Sequence, residues 1–473
     1  MIDRLVALTA ALVLVLLGAG AAPAHAAPPL SLGFLDDVYM AGAPEADPWI
    51  QRTDHVGADI VRIQVGWPAA PDAALRPPGF DPRDPAAAAY DFTRADAAIR
   101  AASAHGLAVL ASFSRAPRWA EGANRPASAP PGSWEPDPAA VLDYGVALAT
   151  RYSGAFADPL QPGQTLPRVK AFQVWNEPNL ALHLSPQWRG GRTFAPGHYR
   201  RMLRAFYSGV KSVQPDALVV TAGTAPFGDP RPGGNRIMPA RFVRDLLCLR
   251  RAGSGLRPTA CPAPAQFDVL AHHPYSVGDP GRRALNADDV SIPDLGKLTR
   301  SLRAAERFGG ALPRIRHRFW VTEVSYDSGP PDPHGVPIGQ HASYLQEAFY
   351  RLWREGVDTI MWFQIRDGAP QPSYDATNQS GVFFGDGQPK PAARAFRFPL
   401  FAERASRRML RVWGRSPLAG QVSIQRLTRA GWRTVRSVAV GRRDTFLVRV
   451  PAAGTADRLR ASIGAERSLV WAG

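Results

Sequence analysis

The sequence predicts an α/β chain, a (β/α)8 barrel followed by a small antiparallel β-sandwich. Three observations predict it. Eight short apolar runs recur between Leu30 and Phe398, stretches of helical period separate them, and after Pro399 the apolar period drops to two. Short, near-continuous apolar strands alternating with helices belong to a parallel sheet covered by helices. Eight such units in roughly 370 residues fit a closed barrel with long loops. An open doubly wound sheet would carry a Gly-rich phosphate turn after its first strand, whereas here the first run ends in Asp36-Asp37.

In chain order the expected strands are SLGFL (31–35), DIVRIQV (59–65), LAVLASF (107–113), VKAFQVW (169–175), ALVVTAG (217–223), FDVLAHH (267–273), RFWVTEV (318–324) and DTIMWFQI (358–365). Amphipathic helices are expected at 94–106, 198–214 and 340–356, among others. In the tail, Val422 and Ile424 alternate with polar residues, as do Phe446, Val448 and Val450, then Leu459, Ala461 and Ile463. Short turns at 429–431, 441–443 and 452–454 complete a sandwich of some 70 residues.

Ahead of the first strand, Met1–Ala26 has Arg4, an apolar stretch from Leu5 to Leu17 and a closing Ala24-His25-Ala26. That is the form of a signal peptide, with an uncleaved membrane anchor as the competing reading. The expected organisation is therefore 1–26 signal peptide, 27–400 barrel and 401–473 basic module, in a secreted protein, with association to the cell surface as a further reading. Beyond the N-terminus no apolar run reaches the roughly 20 residues of a membrane span. Cys248 and Cys261 are the only cysteines. Export would put them in an oxidising compartment, and the Gly- and Pro-containing loop between them can close a disulfide. Two Cys and scattered His give no metal-ligand spacing, so neither a metal nor another cofactor is expected.

Charge is unevenly placed. The chain carries +16 overall, yet residues 401–473 hold 15 Arg against four acids. Such a module suits an anionic surface polymer through sequence-independent electrostatics. A solvated Arg-rich face with a purely structural role reads the same way. Nucleic acid is not an expected partner, because no recognition helix or aromatic–basic motif accompanies the charge.

In a barrel the catalytic groups sit at the C-terminal ends of the strands. The fourth run ends Trp175-Asn176-Glu177-Pro178-Asn179 and the seventh ends Thr322-Glu323-Val324. Two carboxylates from strands three apart in a ring of eight would face each other across the mouth. Glycoside hydrolysis needs such a pair, one protonated to release the leaving oxygen and one charged to meet an oxocarbenium-like centre.

With those residues in hand, the chain resembles clan A of the retaining glycoside hydrolases. The segments GADIVRIQVGW (57–67) and DFTRADAAIRAASAHGLAVLASFSRAPRW (91–119) make it most similar to glycoside hydrolase family 39 and the related exopolysaccharide endoglycosidases. The resemblance implies a carbohydrate substrate, Glu177 as acid/base and Glu323 as nucleophile. Asn176 would bond the sugar 2-hydroxyl, and Arg62 would keep Glu323 ionised from below. It further implies that Tyr275 donates to Glu323 and that His273 lines the pocket, with His272 open as the alternative. Trp362 would form the sugar floor or else be core, since it competes with Met361 for the inward direction. Trp67 and Tyr326, with Trp119, Trp188 and Gln364, are further loop candidates, and His183 reads as a loop-packing residue. A non-catalytic carbohydrate-binding or wall-associated protein on the same scaffold is the rival, but binding alone needs neither the acid pair nor its Asn.

Overall fold

The computed structural model describes residues 27–42, 44–67, 75–369, 374, 378–454 and 457–473; the expected signal peptide at 1–26 lies outside them. Eight parallel strands close into a barrel: β1 (Ser31–Leu35), β2 (Ile60–Gln64), β3 (Ala108–Phe113), β4 (Ala171–Val174), β5 (Leu218–Thr221), β6 (Val269–His272), β7 (Arg318–Val324) and β8 (Thr359–Phe363). Each lies within its expected apolar run. The runs are apolar throughout because both faces of the sheet are covered. Ile60, Leu110, Ala171, Val220, Val269, Ala271, Trp320 and Met361 fill the barrel interior. Their alternates, among them Val61, Phe172, Leu270 and Ile360, pack outward.

The helices are α1 (Ala46–His55), α2 (Thr93–Ala104), α3 (Pro138–Arg151), α4 (Ala195–Val213), α5 (Pro239–Leu246), α6 (Gly296–Phe308), α7 (Ile338–Arg354) and α8 (Pro391–Arg397). The three amphipathic stretches became α2, α4 and α7. None of the helices among the described residues is long and apolar enough to cross a membrane. Cys248 and Cys261 are joined in a disulfide at the base of a hairpin (residues 249–258) that follows α5.

The tail forms two packed antiparallel sheets. One contains β9 (Leu400–Ser406), β10 (Met409–Arg415) and β13 (Thr445–Pro451). The other contains β11 (Gly420–Thr428), β12 (Gly431–Val440) and β14 (Arg458–Ile463), extended by two short strands. The eight alternating apolar residues that mark the tail in the sequence are all in the core between the sheets. The period is weaker in β12, an edge strand whose exposed residues include Arg433 and Arg436. Charge on an edge strand blocks further strand pairing.

The sandwich docks on the N-terminal end of the barrel. Arg415, 1% exposed, reaches from β10 to the carbonyls of Leu30 and Gly57 just ahead of β1 and β2, and pairs with Asp59 at 2.6 Å. Arg443 joins Asp59 and Asp54, and Thr445 bonds the Ala27 and Pro28 carbonyls. The sandwich thus leaves the opposite face, at the C-terminal ends of the strands, uncovered by its own residues. Removing one partner of a buried pair strands the other, so Arg415→Met should lower unfolding free energy by about 3 kcal/mol, read as a shifted urea midpoint.

Candidate active site

At the C-terminal face, strand alternation and two local departures from it bring five expected residues together. On β2, Ile60 points inward, so Arg62 does as well. Counting from Val269 and Ala271, which point inward on β6, His272 points outward and His273 inward. This settles the choice that the sequence left open. His272 is fully buried between Thr224 Oγ1 at 2.8 Å and the Val290 carbonyl at 3.0 Å, and burial pushes its pKa down to about 3.

Glu323 would face the helices if β7 alternated throughout, since Trp320 and Thr322 point inward. The pairing of β7 with β8 shifts register between Val321 and Val324. Such a bulge re-aims a side chain, and both Thr322 and Glu323 reach the barrel mouth. On β4 the comparable departure is backbone conformation, with Trp175 at φ 76° and Glu177 at φ 35°. Positive φ is costly for side chains of this size and clusters at functional sites. Here it buries the Trp175 indole, whose Nε1 donates to the His183 carbonyl at 2.8 Å, and turns Asn176 and Glu177 toward Arg62 and His273.

Arg62 organises the floor. Its Nη1 donates to Glu323 Oε1 at 2.5 Å, its Nη2 to Asn176 Oδ1 at 3.1 Å and its Nε to Ser112 Oγ at 3.2 Å. Tyr275 donates to Glu323 Oε2 at 3.2 Å. His273 Nδ1 lies 3.0 Å from Glu177 Oε1 and 3.6 Å from Glu323 Oε2, so one N–H faces both carboxylates. Its Nε2 meets Thr322 Oγ1 at 3.0 Å. An oxygen of Glu177, a ring nitrogen of His273 and an oxygen of Glu323 all lie within 4.8 Å of one another. The Glu177 and Glu323 side chains are 15% and 11% exposed, so neither is sealed from the opening.

Burial alone would raise the Glu323 pKa. The charges of His273 and Arg62, with hydrogen bonds from Arg62 and Tyr275, outweigh it and hold the carboxyl below its ordinary value. Tyr275 moves the other way, raised well above its ordinary value by burial first and then by Glu323 and Glu177, which keeps it a donor. The Glu177–His273–Glu323 group has metal-ligand spacing, the one such group among the described residues. Both Glu323 oxygens already face donors from Arg62, Tyr275 and His273, so the protein itself supplies positive charge there.

Three expectations are corrected. Trp362 is not a floor: Met361 takes the inward direction, and Trp362 is fully buried between the barrel and α7. Its ring lies against His341 and Phe349, and its Nε1 donates to the Ser380 carbonyl. Trp67 is buried in an aromatic cluster, stacked on Tyr144 at 5.0 Å with Phe113 and Trp119 at its edges. Tyr326 is buried against Tyr344. Loop aromatics were read as cleft-lining, yet here they join the hydrophobic core between the sheet and the helices.

His183, read as loop packing, belongs beside the site: its Nε2 is 3.7 Å from Glu177 Oε2 and 3.5 Å from Asn176 Nδ2. Burial first, opposed in part by the charge of Glu177, holds its pKa below the ordinary histidine value. Its place in the same loop, six residues after Glu177, was the available signal. Gly223 was missed. A Cβ there would lie 2.1 Å from His273 Nε2, and its carbonyl accepts from the Glu177 N–H at 3.0 Å. Gly223→Ala should therefore push the imidazole off Glu177. Displacements of about 1 Å can cost 10²-fold, so a kcat loss of about that size in a protein that still folds, with about 1–3 kcal/mol of stability lost to overpacking, is the expected result.

The sequence matches no protein-family model and no curated protein. The fold is similar to solved structures of glycoside hydrolases. One is a family 39 glycoside hydrolase from the gut symbiont Bacteroides cellulosilyticus WH2, with a TM-score of 0.54 and 16% identity over 89% of this chain and 81% of that one. Another is a glucosidase from Croceicoccus marinus, with a TM-score of 0.51 and 16% identity over 91% and 94% of the two chains. The likeness is one of fold: a (β/α)8 barrel carrying additional β-structure.

Proposed function

We propose that the chain is a retaining O-glycoside hydrolase that cleaves an oligo- or polysaccharide by double displacement. The observation that carries this reading is the spacing of the two carboxylates, with an oxygen of each within 4.8 Å. Retaining enzymes hold the pair at about 5–5.5 Å, whereas inverting ones need about 6.5–9.5 Å to seat a water. The environments of the two acids also differ, which separates their roles.

In the proposed reaction Glu323, held ionised by Arg62 and His273, attacks the anomeric carbon. Glu177 delivers its proton to the departing oxygen. The glycosyl–Glu323 ester then meets water, from which Glu177 takes a proton, and the anomeric configuration is restored. Asn176, fixed by Arg62 from below, is placed to bond the 2-hydroxyl of the bound sugar. His273 faces both carboxylates and can balance charge as it passes between them.

The test is a panel of chromogenic glycosides and polysaccharides, followed by trapping with a 2-fluoro glycoside of the sugar that is turned over. A mass increase on the peptide containing Glu323 supports the reading. A label elsewhere, or no turnover of any glycan, rejects it. The pH profile supplies a second check. Glu323 is ionised above its lowered pKa, and activity falls as pH drops through it, so the acid limb of kcat/KM should lie below about 4.3, the ordinary Glu value. Arg62→Met removes one of the charges that lower it and should move that limb to higher pH.

The same reading takes residues 27–400 as the catalytic domain and 401–473 as a module that holds an anionic surface polymer, in an exported enzyme. The Cys248–Cys261 disulfide supports an oxidising compartment.

A further inference from the structure

A concentration of positive charge lies on the flank of the barrel, away from the strand ends that carry Glu177 and Glu323. Helix α6 and the disulfide-based hairpin flank a half-open cavity of about 560 Å³, within the range of small-ligand sites. Its walls carry Arg244 from α5, Arg251 from the hairpin, and Lys297, Arg300, Arg303 and Arg307 from α6. The four on α6 recur every three or four residues, which places them along one helix face. No acidic side chain lines the cavity.

The nearby acids cover only part of this charge. Asp288 alone serves both Arg244, at 2.7 Å, and Arg251, at 2.5 Å. Lys297 pairs with Asp294 at 3.1 Å, and Arg303 with Glu306. Among the described residues Arg300 and Arg307 form no salt bridge, and both are exposed. Two further polar atoms on this wall, Arg303 Nε and Thr299 Oγ1, are buried and make no hydrogen bond within the protein. At the hairpin tip Gly253, Ser254 and Gly255 form the remaining wall with no bulky side chain in the way.

We infer that this cavity binds an oxyanion group carried by a saccharide, a carboxylate, sulfate or phosphate ester. Guanidinium forks match such groups in a planar, two-pronged geometry. That the anion is sugar-borne rests on the proposed action of this barrel on glycans. The site would fasten the barrel to an acidic glycan independently of the cleft and of the C-terminal module.

The experiment uses the full chain and compares wild type, Arg300→Ala/Arg307→Ala and Arg433→Ala/Arg436→Ala, the last pair lying in the module. Binding to polygalacturonate, dextran sulfate and neutral dextran is measured by calorimetry at 50 and 300 mM salt, with inorganic phosphate as competitor. Wild type should bind the acidic polymers and not dextran, and the α6 double variant should lose at least tenfold in affinity. Hydrolysis of a small neutral glycoside should be unchanged in that variant, which keeps failure of this site distinct from failure of the proposed chemistry. Unchanged polymer binding in the α6 variant overturns the inference, as does a loss confined to the Arg433/Arg436 variant. Displacement by phosphate at equal anion concentration assigns the cavity to a free anion and overturns the saccharide assignment.

Discussion

Glu323→Gln should fold as the wild type does and lose at least about 10⁴-fold in kcat/KM on every substrate the enzyme turns over, the scale seen when a nucleophile is removed. The amide is close in size to the carboxylate, so the packing around Arg62 and Tyr275 should survive. What disappears is the charge. Arg62 would then face a neutral group across 2.5 Å, and the anomeric carbon would have no anion to receive it. Because burial opposes that charge, its stabilisation rests on Arg62, His273 and Tyr275 together. Activity within tenfold of wild type would remove Glu323 from the mechanism. A small-nucleophile test sharpens the result: Glu323→Ala with azide should form a glycosyl azide of inverted configuration.

Glu177→Ala should behave differently, and the difference is the more informative outcome. General acid catalysis contributes about 10²–10⁴-fold, but only where the leaving oxygen needs a proton. An aryl glycoside with an acidic phenol should retain its first step and accumulate the covalent intermediate, seen as a burst. Unactivated oligosaccharides should lose activity by the full factor. Azide should restore turnover and yield a product of retained configuration, because it attacks the face that water would use with Glu177 as base. Equal losses on both substrate types would assign Glu177 a structural role. His183→Ala offers a milder companion, since the ring only flanks Glu177 at 3.7 Å.

Much of this site was legible in the sequence because it depends on two simple regularities. Strand ends in a barrel converge on one face, which singled out Glu177 and Glu323; the place of Arg62 beneath Glu323 was what the family resemblance implied, and alternation along β2 is what puts it there. What was not legible depends on departures from those regularities. Glu323 reaches the mouth through a bulge that no residue type announces. Trp175 and Glu177 adopt positive φ without being Gly. Gly223 matters through the space that His273 needs, a property of the folded barrel.

The aromatic assignments show the opposite failure. Trp362 and Trp67 are large, and at loop or strand-end positions they read as sugar platforms. The loop residues Trp67 and Trp119 instead extend the main core, in one contiguous cluster with Phe113 of β3 and Tyr144 of α3. In the tail the period-two pattern was enough, because a sandwich of two exposed-face sheets keeps one side apolar and one side polar.

The most direct test of two carboxylates acting across one opening is the stereochemistry of the first product. With a substrate from the panel, ¹H NMR within the first minutes should show the released sugar in the same anomeric form as the bond that was cut, before mutarotation mixes the two. First appearance of the opposite anomer would contradict double displacement by Glu177 and Glu323, whose facing oxygens lie within 4.8 Å.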